Sequence, residues 1–325
     1  MSRLPLLALA PLGFAALPAL AAPPAVVTDI PPVHALVADV MGDLGTPTLL
    51  LDRGANAHNY QMRPADARAL QDAGLVFWVG ARMTPWLDRA LDGLAADTRT
   101  VALLEAETTF RRDFGDAAAH DHGGHDDHDD HDAEAHDTEE HGAEDHADHA
   151  HDGLDPHAWL DPANAHAWLA VIAAELSAAD PENAARYSAN ADAASARIAA
   201  LDARLAADLA PVRDAPFIVF HDAYGYFASH YGLNVAGSVN LGDATAPGAR
   251  HLADLRDRLD AQGVVCAFPE AQHDPKQLAI VVEGTEVRLG GTLDPAGSLL
   301  DPGPALYDRL LGDMAQTLLD CLAQN

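Results

Sequence analysis

The sequence has 325 residues, of which 49% are hydrophobic, and its 50 Asp and Glu residues against 19 Lys and Arg give a formal net charge of −31. The apolar fraction excludes a fully disordered or collagen-like chain, and the length is sufficient for two domains. The negative charge argues against nucleic-acid binding, because affinity for a phosphate backbone comes from clustered cations that release counterions.

Residues 1–21 predict a cleaved secretory signal peptide. They start with a short head that contains Arg3, continue through an apolar run broken by three prolines, and end in Ala19-Leu20-Ala21. That ending fits the small-residue rule for signal-peptidase cleavage. A membrane anchor is the alternative, but the run is shorter than the ~20 apolar residues that a spanning helix needs. We therefore expect an exported mature chain.

Short β-rich runs alternate with helix-like segments after the signal peptide. This β-α-β alternation predicts an α/β fold with a parallel sheet. The runs that predict strands in the first part of the chain are 25–30, 48–51, 75–79 and 100–104, and the segment 65–72 predicts a helix between the second and third strands.

An acidic, histidine-rich segment interrupts this alternation. Residues 116–152 contain 15 carboxylates, ten histidines and no Lys or Arg. Without apolar periodicity they cannot form a core, so we expect a solvated, disordered loop. Such a loop would capture metal ions weakly at several sites, because each site must be ordered on binding. The alternative is an insertion that only keeps the protein soluble. The ten histidines are His120, His122, His125, His128, His131, His136, His141, His146, His149 and His151.

A long helix and a second set of strands follow this segment. The chain from 162 to 209 is alanine-rich, with a break at Asp180-Pro181. Asp180 can cap the helix 181–209, which would be about 40 Å long. The later runs predict strands over 217–220, 235–239, 264–268 and 287–289 and helices over 249–261, 275–283 and 304–323.

Four predicted strands on each side of the long helix indicate two similar α/β lobes. We expect an N-terminal lobe over 22–180 that includes the acidic loop, a linking helix over 181–209 and a C-terminal lobe over 210–325. In open parallel sheets ligands bind at the carboxyl ends of the strands. The loops that follow the strands are therefore the candidate functional sites.

Three histidines outside the acidic loop lie in such places. His58 follows the second predicted strand, His157 precedes the alanine-rich region, and His221 ends the strand 217–220. Three imidazoles together with a water or a carboxylate complete the tetrahedral geometry that zinc accepts. Taken singly, each could equally be an ordinary polar or core histidine, and spacing alone does not join them.

Several short motifs occur together in the mature chain. They are His58-Asn59-Tyr60 with Arg63-Pro64-Ala65-Asp66, Asp155-Pro156-His157-Ala158-Trp159-Leu160, Phe220-His221-Asp222-Ala223-Tyr224-Gly225-Tyr226-Phe227, Pro247-Gly248, and Gly291-Thr292-Leu293-Asp294-Pro295. In combination, and over essentially the whole mature sequence, they resemble the periplasmic metal-binding proteins of zinc and manganese ABC importers, most closely the zinc-uptake (ZnuA-type) branch. The resemblance implies two four-stranded parallel sheets flanked by helices, joined by a long rigid helix, with the metal in the cleft between the lobes.

The resemblance also implies the metal ligands. His58, His157 and His221 fall on the family's three ligand positions. A histidine at the third position favours zinc, because manganese-selective relatives typically carry a carboxylate there and harder ions prefer oxygen. Asp294 falls where some relatives supply a fourth, carboxylate ligand, although water can take that place in the zinc branch.

Both the residues themselves and the resemblance bear on whether the two cysteines are paired. In an exported chain Cys266 and Cys321 could form one disulfide, with two buried free thiols as the alternative. The pair matches a disulfide found in part of the zinc branch, which favours the bond. The sequence departs from the common family pattern at Asn59 and at His273, where relatives often have Asp and an apolar or aromatic residue, respectively.

The resemblance implies a monomeric solute-binding protein of the periplasm and not an enzyme. It would capture one Zn²⁺ tightly in the cleft and deliver it to an ABC permease with its cytoplasmic ATPase, so that the permease is its only membrane contact. The acidic loop would be an auxiliary scavenger or sensor that binds further ions weakly.

Three other functions stay open. They are a manganese or iron receptor of the same family, a metal buffer that acts through the loop alone, and a secreted zinc hydrolase, since a three-histidine zinc with an open position can activate water. The sequence contains neither a His-Glu-x-x-His run nor a Gly-x-Ser-x-Gly elbow.

Overall fold

The structure, a computed structural model, describes residues 23–115, 153–240 and 248–324. The predicted signal peptide and the acidic, histidine-rich segment lie outside these ranges. Within them, none of the helices combines the length and the apolar character that crossing a membrane requires.

The first described range builds a four-stranded parallel sheet with the strand order β2-β1-β3-β4. β1 and β3 are buried along their whole length, as expected for apolar runs in a sheet that is covered on both faces. The elements are β1 Val26–Thr28, α1 Pro31–Met41, β2 Thr48–Leu49, α2 Pro64–Gln71, β3 Leu75–Trp78, α3 Pro85–Leu94 and β4 Arg99–Ala102. The predicted fourth strand is too long, because Leu103–Glu105 form a 3₁₀ turn that places two leucines in the core.

The chain after residue 216 builds a second four-stranded parallel sheet with the order β6-β5-β7-β8. The predicted arrangement of four strands before and four strands after the long helix is therefore confirmed. The elements are β5 Phe217–His221, α6 Gly225–Tyr231, β6 Val235–Asn240, α7 Ala249–Ala261, β7 Cys266–Phe268, α8 Pro275–Val282, β8 Arg288–Leu289 and α9 Leu306–Leu322.

Two helices connect the sheets, α4 over Pro162–Ala179 and α5 over Ala184–Leu209. At 26 residues α5 is about 39 Å long. The predicted helix start at residue 181 is wrong, because Pro181–Asn183 form a 3₁₀ turn first. Asp180 also makes no side-chain cap. Its carboxylate instead accepts hydrogen bonds from the Asn183 amide at 2.7 Å and the Tyr187 hydroxyl at 2.9 Å.

One hydrophobic core runs through both lobes. α5 packs against α4 and against α1 of the first lobe and α9 of the second, and α1 also contacts α9. Leu36, Trp168, Ile198 and Leu311, one from each of these four helices, are at most 1% exposed and belong to the same cluster. Because separating the lobes would expose this apolar surface to water, the core holds them in one relative orientation.

A polar contact reinforces the same junction. Arg197 of α5 donates from Nε to Asp308 of α9 at 2.8 Å and from Nη2 to Asp39 of α1 at 2.5 Å. Hydrogen bonds between ionised groups are stronger than neutral ones. The linking helix is therefore tied to both lobes by packing and by charge.

Cys266 of β7 and Cys321 of α9 form a disulfide across a separation of 55 residues. The predicted bond is confirmed, and it fastens the last helix to the second sheet.

Removing this disulfide should destabilise the fold. We expect Cys266→Ala with Cys321→Ala to lower the free energy of unfolding by about 4 kcal/mol, the chain-entropy estimate for a loop of this length. Urea denaturation of the oxidised protein and of the double variant measures the difference. Reduction of the unmodified protein should have a similar effect, and equal stability of all three forms would contradict the estimate.

His230 of α6 should make stability depend on pH. Its Nδ1 lies 2.9 Å from Asp161 and its Nε2 lies 2.8 Å from Asp202 of α5. These contacts, Asp161 first, raise the pKa of His230 from 6.5 to about 9. A pKa that is higher in the folded state stabilises the fold at low pH, and this contribution is lost as the pH rises through the folded value.

We therefore expect the free energy of unfolding to decline between about pH 6.5 and about pH 9. Urea denaturation across this range should show a smaller decline in His230→Gln. His166→Gln, which changes an exposed histidine of α4, should keep the full decline. A His230→Gln curve parallel to that of the unmodified protein would show that the ion pairs do not contribute.

Candidate metal centre

The structure brings His58, His157 and His221 together. His58 follows β2, His221 is the last residue of β5, and His157 immediately precedes a 3₁₀ turn that leads into α4. One ligand atom of each lies within 4.8 Å of the others. The ring centroids of His157 lie 5.5 Å from His58 and 5.2 Å from His221. As the parallel topology predicts, the cluster lies where strands end.

The loop that carries His58 is held by local hydrogen bonds. The backbone N–H of His58 donates to the Asn56 side-chain oxygen at 2.8 Å, which is an Asx turn. The Trp86 indole N–H donates to the Ala57 carbonyl at 2.7 Å. Asn56 and Trp86 therefore fix the backbone on both sides of Ala57 and set the direction of the imidazole.

The same loop contacts the second lobe. Arg53 donates to Asp301 at 2.7 Å and to the Leu299 carbonyl at 2.6 Å, and Gly54 N–H donates to the Ser298 carbonyl at 3.0 Å. These bonds bridge the edge of the cleft. They position the His58 loop against residues of the opposite lobe.

His157 is buried and held by a carboxylate. Oδ1 of Asp155 lies 2.8 Å from its Nδ1 and accepts its backbone N–H at 2.9 Å. The ring of Trp159 lies 5.2 Å from the ring of His157, and the Trp159 indole donates to the Pro295 carbonyl of the second lobe at 2.8 Å. Asp155 and Trp159 together leave His157 a single orientation.

His221 has a matching partner in Glu270, which follows β7. Oε2 of Glu270 lies 2.7 Å from Nδ1 of His221 and accepts the Tyr224 hydroxyl at 2.8 Å. Burial, together with the nearby Glu270 charge, raises the pKa of Tyr224 well above its ordinary value. Tyr224 therefore stays a neutral donor that orients the Glu270 carboxylate.

The two carboxylates determine which ring nitrogens face the cleft. Asp155 and Glu270 accept from Nδ1–H, so that Nε2 of both His157 and His221 carries the lone pair. These two Nε2 atoms lie 3.4 Å apart. Two nitrogens on a tetrahedral zinc, each 2.0–2.1 Å from the ion, are about 3.3–3.4 Å apart. The donor atoms therefore fit a zinc ion without a large rearrangement.

The surroundings of the cluster are acidic. Asp155 and Glu270 are buried, and Asp222 next to His221 is half-buried. Removal of water raises the pKa of Asp222, and the negative charge of Asp155 raises it further. Buried carboxylates beside imidazoles favour a bound cation, because the ion compensates their charge.

Arg112 is the buried cation of this region. Its guanidinium lies 5.8 Å from the centre of the Tyr226 ring, and a side chain at position 225 would place Cβ 1.8 Å from Nη1 of Arg112. The glycine at 225 therefore provides the space for this arginine. The positive charge of Arg112 lowers the pKa of Asp222 and opposes the two effects that raise it.

Asp294 is placed differently from the three histidines. Its Oδ1 accepts from the Ser298 backbone and hydroxyl at 3.0 and 3.1 Å, and its Oδ2 accepts from Leu299 N–H at 2.8 Å. Among the described residues, the groups with metal-ligand spacing do not include it. Here it stabilises the turn 294–299, and its role as a fourth ligand stays a prediction without geometric support.

The roles of Asp155 and Glu270 are not predicted by the sequence. Asp155 lies two residues before His157, and Glu270 lies two residues after β7. The position at the carboxyl end of a predicted strand was the signal that could have identified Glu270. Nothing in the local sequence indicates that His221, 49 residues away, is its partner.

The ten histidines of the acidic segment lie outside the described residues. The chain on either side of them is placed next to the cluster, because Asp113 and Leu154 form an antiparallel bridge and Phe114 N–H donates to the Gly153 carbonyl at 3.0 Å. The Phe114 ring lies 6.4 Å from the His157 ring. The described residues that flank the segment, 113–115 and 153–154, therefore lie beside the candidate metal centre.

The chain is similar to known proteins over most of its length. The family described as zinc-uptake complex component A periplasmic (ZnuA) matches residues 26–321. The high-affinity zinc uptake system protein ZnuA of Paracoccus denitrificans (strain Pd 1222) is 56% identical over 313 residues, which cover 96% of each chain. The protein of the same name from Brucella suis biovar 1 (strain 1330) is 42% identical over 307 residues, which cover 92% of each.

Solved structures show the same fold. A crystal structure of ZnuA has a TM-score of 0.70 at 24% identity and covers 92% of this chain and 99% of its own. The periplasmic zinc binding protein TroA from Treponema pallidum has a TM-score of 0.72 at 18% identity, with the same coverage.

The carboxylate behind His157 should matter for metal affinity. We expect Asp155→Asn to weaken zinc binding by about 10–100-fold. The asparagine amide neither fixes the tautomer of His157 nor places a negative charge beside it. Competition with a chromophoric chelator measures the change. Asp92→Asn, in which an exposed residue of α3 is altered, is the matched control. Equal affinity of both variants would show that Asp155 does not act on the metal.

Proposed function

The chain belongs to the ZnuA family of periplasmic zinc-uptake components, and from that premise we propose that it captures Zn²⁺ between its lobes and delivers it to an ABC permease for import. The observation that carries the proposal is the convergence of three imidazoles from three separate parts of the chain, two of them with Nε2 atoms 3.4 Å apart. The zinc ion is the cargo of this protein and not a resident cofactor.

We assign His58, His157 and His221 as the ligands of one tight site. Support comes from their donor spacing and from the carboxylates that hold His157 and His221. A water or a carboxylate completes the tetrahedron, and Asp294 is the carboxylate that the sequence suggests for that place. Neutral imidazole is a ligand that zinc binds well, whereas manganese prefers oxygen. This set therefore favours zinc over a manganese cargo, and a competition titration between the two ions separates the alternatives.

A three-histidine zinc site would also suit a hydrolase. The relatives argue against that function, because the two described above are zinc uptake proteins matched over at least 92% of their length. We therefore propose a receptor and not an enzyme. A sensitive assay for zinc-dependent ester hydrolysis should show no turnover that depends on His157.

The remaining assignments concern location and partners. We propose that the signal peptide 1–21 directs the chain to the periplasm and that the mature protein acts as a monomer of two lobes, 22–180 and 210–325, joined by 181–209. Loops of both lobes border the cleft and would dock on the permease, whose cytoplasmic ATPase drives import. The acidic segment would collect additional zinc ions, since the described residues on either side of it lie next to His157.

The cleft and the acidic segment should be separable by mutation. We expect His157→Ala to abolish the tight site and zinc-limited growth, because it removes one of three ligands. Deletion of 120–151 should lower the number of bound ions but leave the tight site intact. Isothermal titration and growth complementation measure both effects.

His166→Ala, at an exposed position of α4, is the matched control and should behave like the unmodified protein. Loss of the tight site on deletion of 120–151 would place that site in the acidic segment. Normal growth of a His58→Ala, His157→Ala, His221→Ala variant would instead favour a metal buffer that acts through the segment alone.

A further inference from the structure

A second group of potential ligands lies behind the three-histidine cluster. The Glu270 carboxylate stands between two imidazoles, with Oε2 2.7 Å from Nδ1 of His221 and Oε1 3.5 Å from Nε2 of His273. One ligand atom of each of the three residues lies within 4.8 Å of the others. His221 therefore belongs to both groups. Its Nε2 lies next to His157, and its Nδ1 lies next to Glu270.

The position of His273 is set by its surroundings. Its ring stacks on Phe220 with the centroids 4.3 Å apart. The preceding residue, Gln272, has a φ of 70°, which is unfavourable for a residue other than glycine, and its side-chain amide donates to Ser298. Backbone strain of this kind persists only where surrounding contacts enforce it, and it is concentrated at functional sites.

The group is accessible from one side. The side chains of Glu270 and His221 are 2% and 7% exposed, and that of His273 is 21% exposed. An ion from solvent would therefore meet His273 before it met the two buried ligands. The 3.5 Å between Oε1 and Nε2 is close to the separation of about 3.3–3.4 Å between two ligands of one tetrahedral zinc.

We propose that His273, Glu270 and Nδ1 of His221 form an outer zinc subsite that alternates with the inner site at His58, His157 and Nε2 of His221. Two histidines and one carboxylate are a ligand set that zinc accepts with a fourth position open. The proposal concerns a site beyond the one assigned under the proposed function. It does not require that the protein deliver zinc to a permease.

The shared ring makes the two subsites mutually exclusive. A neutral imidazole has one N–H and one lone pair, so it can bind an ion through only one nitrogen at a time. With the ion in the outer subsite the proton is on Nε2, and with the ion in the inner site it is on Nδ1. The ring neither gains nor loses a proton overall. The unmodified cleft therefore holds one ion, which leaves Nδ1 of His221 before it binds Nε2. The ring releases the Nε2 proton to water and takes up a proton at Nδ1, next to Glu270.

The outer subsite should become visible when the inner one is disabled. The test uses the full chain with His58→Ala and His157→Ala, crystallised with zinc, and anomalous diffraction at the zinc edge. We expect one peak bounded by His273, Glu270 and His221, and its loss when His273→Phe is added. His166→Phe, an exposed position on α4, is the matched control and should leave the peak in place. Absence of the peak in the folded double variant, or its persistence with His273→Phe, would overturn the proposal.

A kinetic measurement covers the case in which the double variant does not fold. In His273→Phe alone, we expect zinc capture and zinc loss to a chelator to slow by about tenfold each, with an unchanged dissociation constant. The tenfold factor is the low end of the roughly 10–100-fold effect that residues supporting metal ligands have on metal affinity or activity. Unchanged rates, or a changed dissociation constant with an unchanged rate of capture, would contradict the proposed outer subsite. Neither result would affect the tight inner site, which the His157→Ala titration tests separately.

Discussion

The shared core between the lobes is the constraint on which the metal centre depends. α1, α4, α5 and α9 pack into one cluster that continues from the first sheet to the second. This packing turns the carboxyl ends of β2 and β5 toward the same cleft, and it places His157 between them. Three imidazoles from distant parts of the chain then converge without an ordering cost at the moment of binding. Because the scaffold is held by buried apolar surface, preorganisation of the ligands follows from the stability of the fold.

Each buried imidazole of the site is also paired with a carboxylate. Asp155 and Glu270 fix the tautomer of their histidines, so that two lone pairs point at each other across 3.4 Å. A cation placed between the two nitrogens would accept both lone pairs. The same carboxylates would otherwise be costly to bury. The imidazoles and the carboxylates behind them therefore favour a positive ion at this place.

Much of this arrangement could be predicted from the sequence. The predicted runs identified all eight strands, and the central strands β1, β3, β5 and β7 are buried along their whole length, as expected for parallel strands covered on both faces. His58 and His221 stood out after predicted strands and His157 in its own motif, and the family resemblance grouped the three. Asp180 and Glu270 show the limit of this reasoning, because a carboxylate's partner is decided by tertiary contacts. Asp180 bonds to Asn183 and Tyr187 instead of capping a helix. Glu270 meets a histidine from another strand, which no local pattern indicates.

The bridge between Asp113 and Leu154 has a consequence for how this protein can vary. It closes the chain at the base of the acidic segment, so the spacing of the two attachment points is independent of how many residues lie between them. Insertions and deletions between these two points therefore leave His157 and the described residues around it in place.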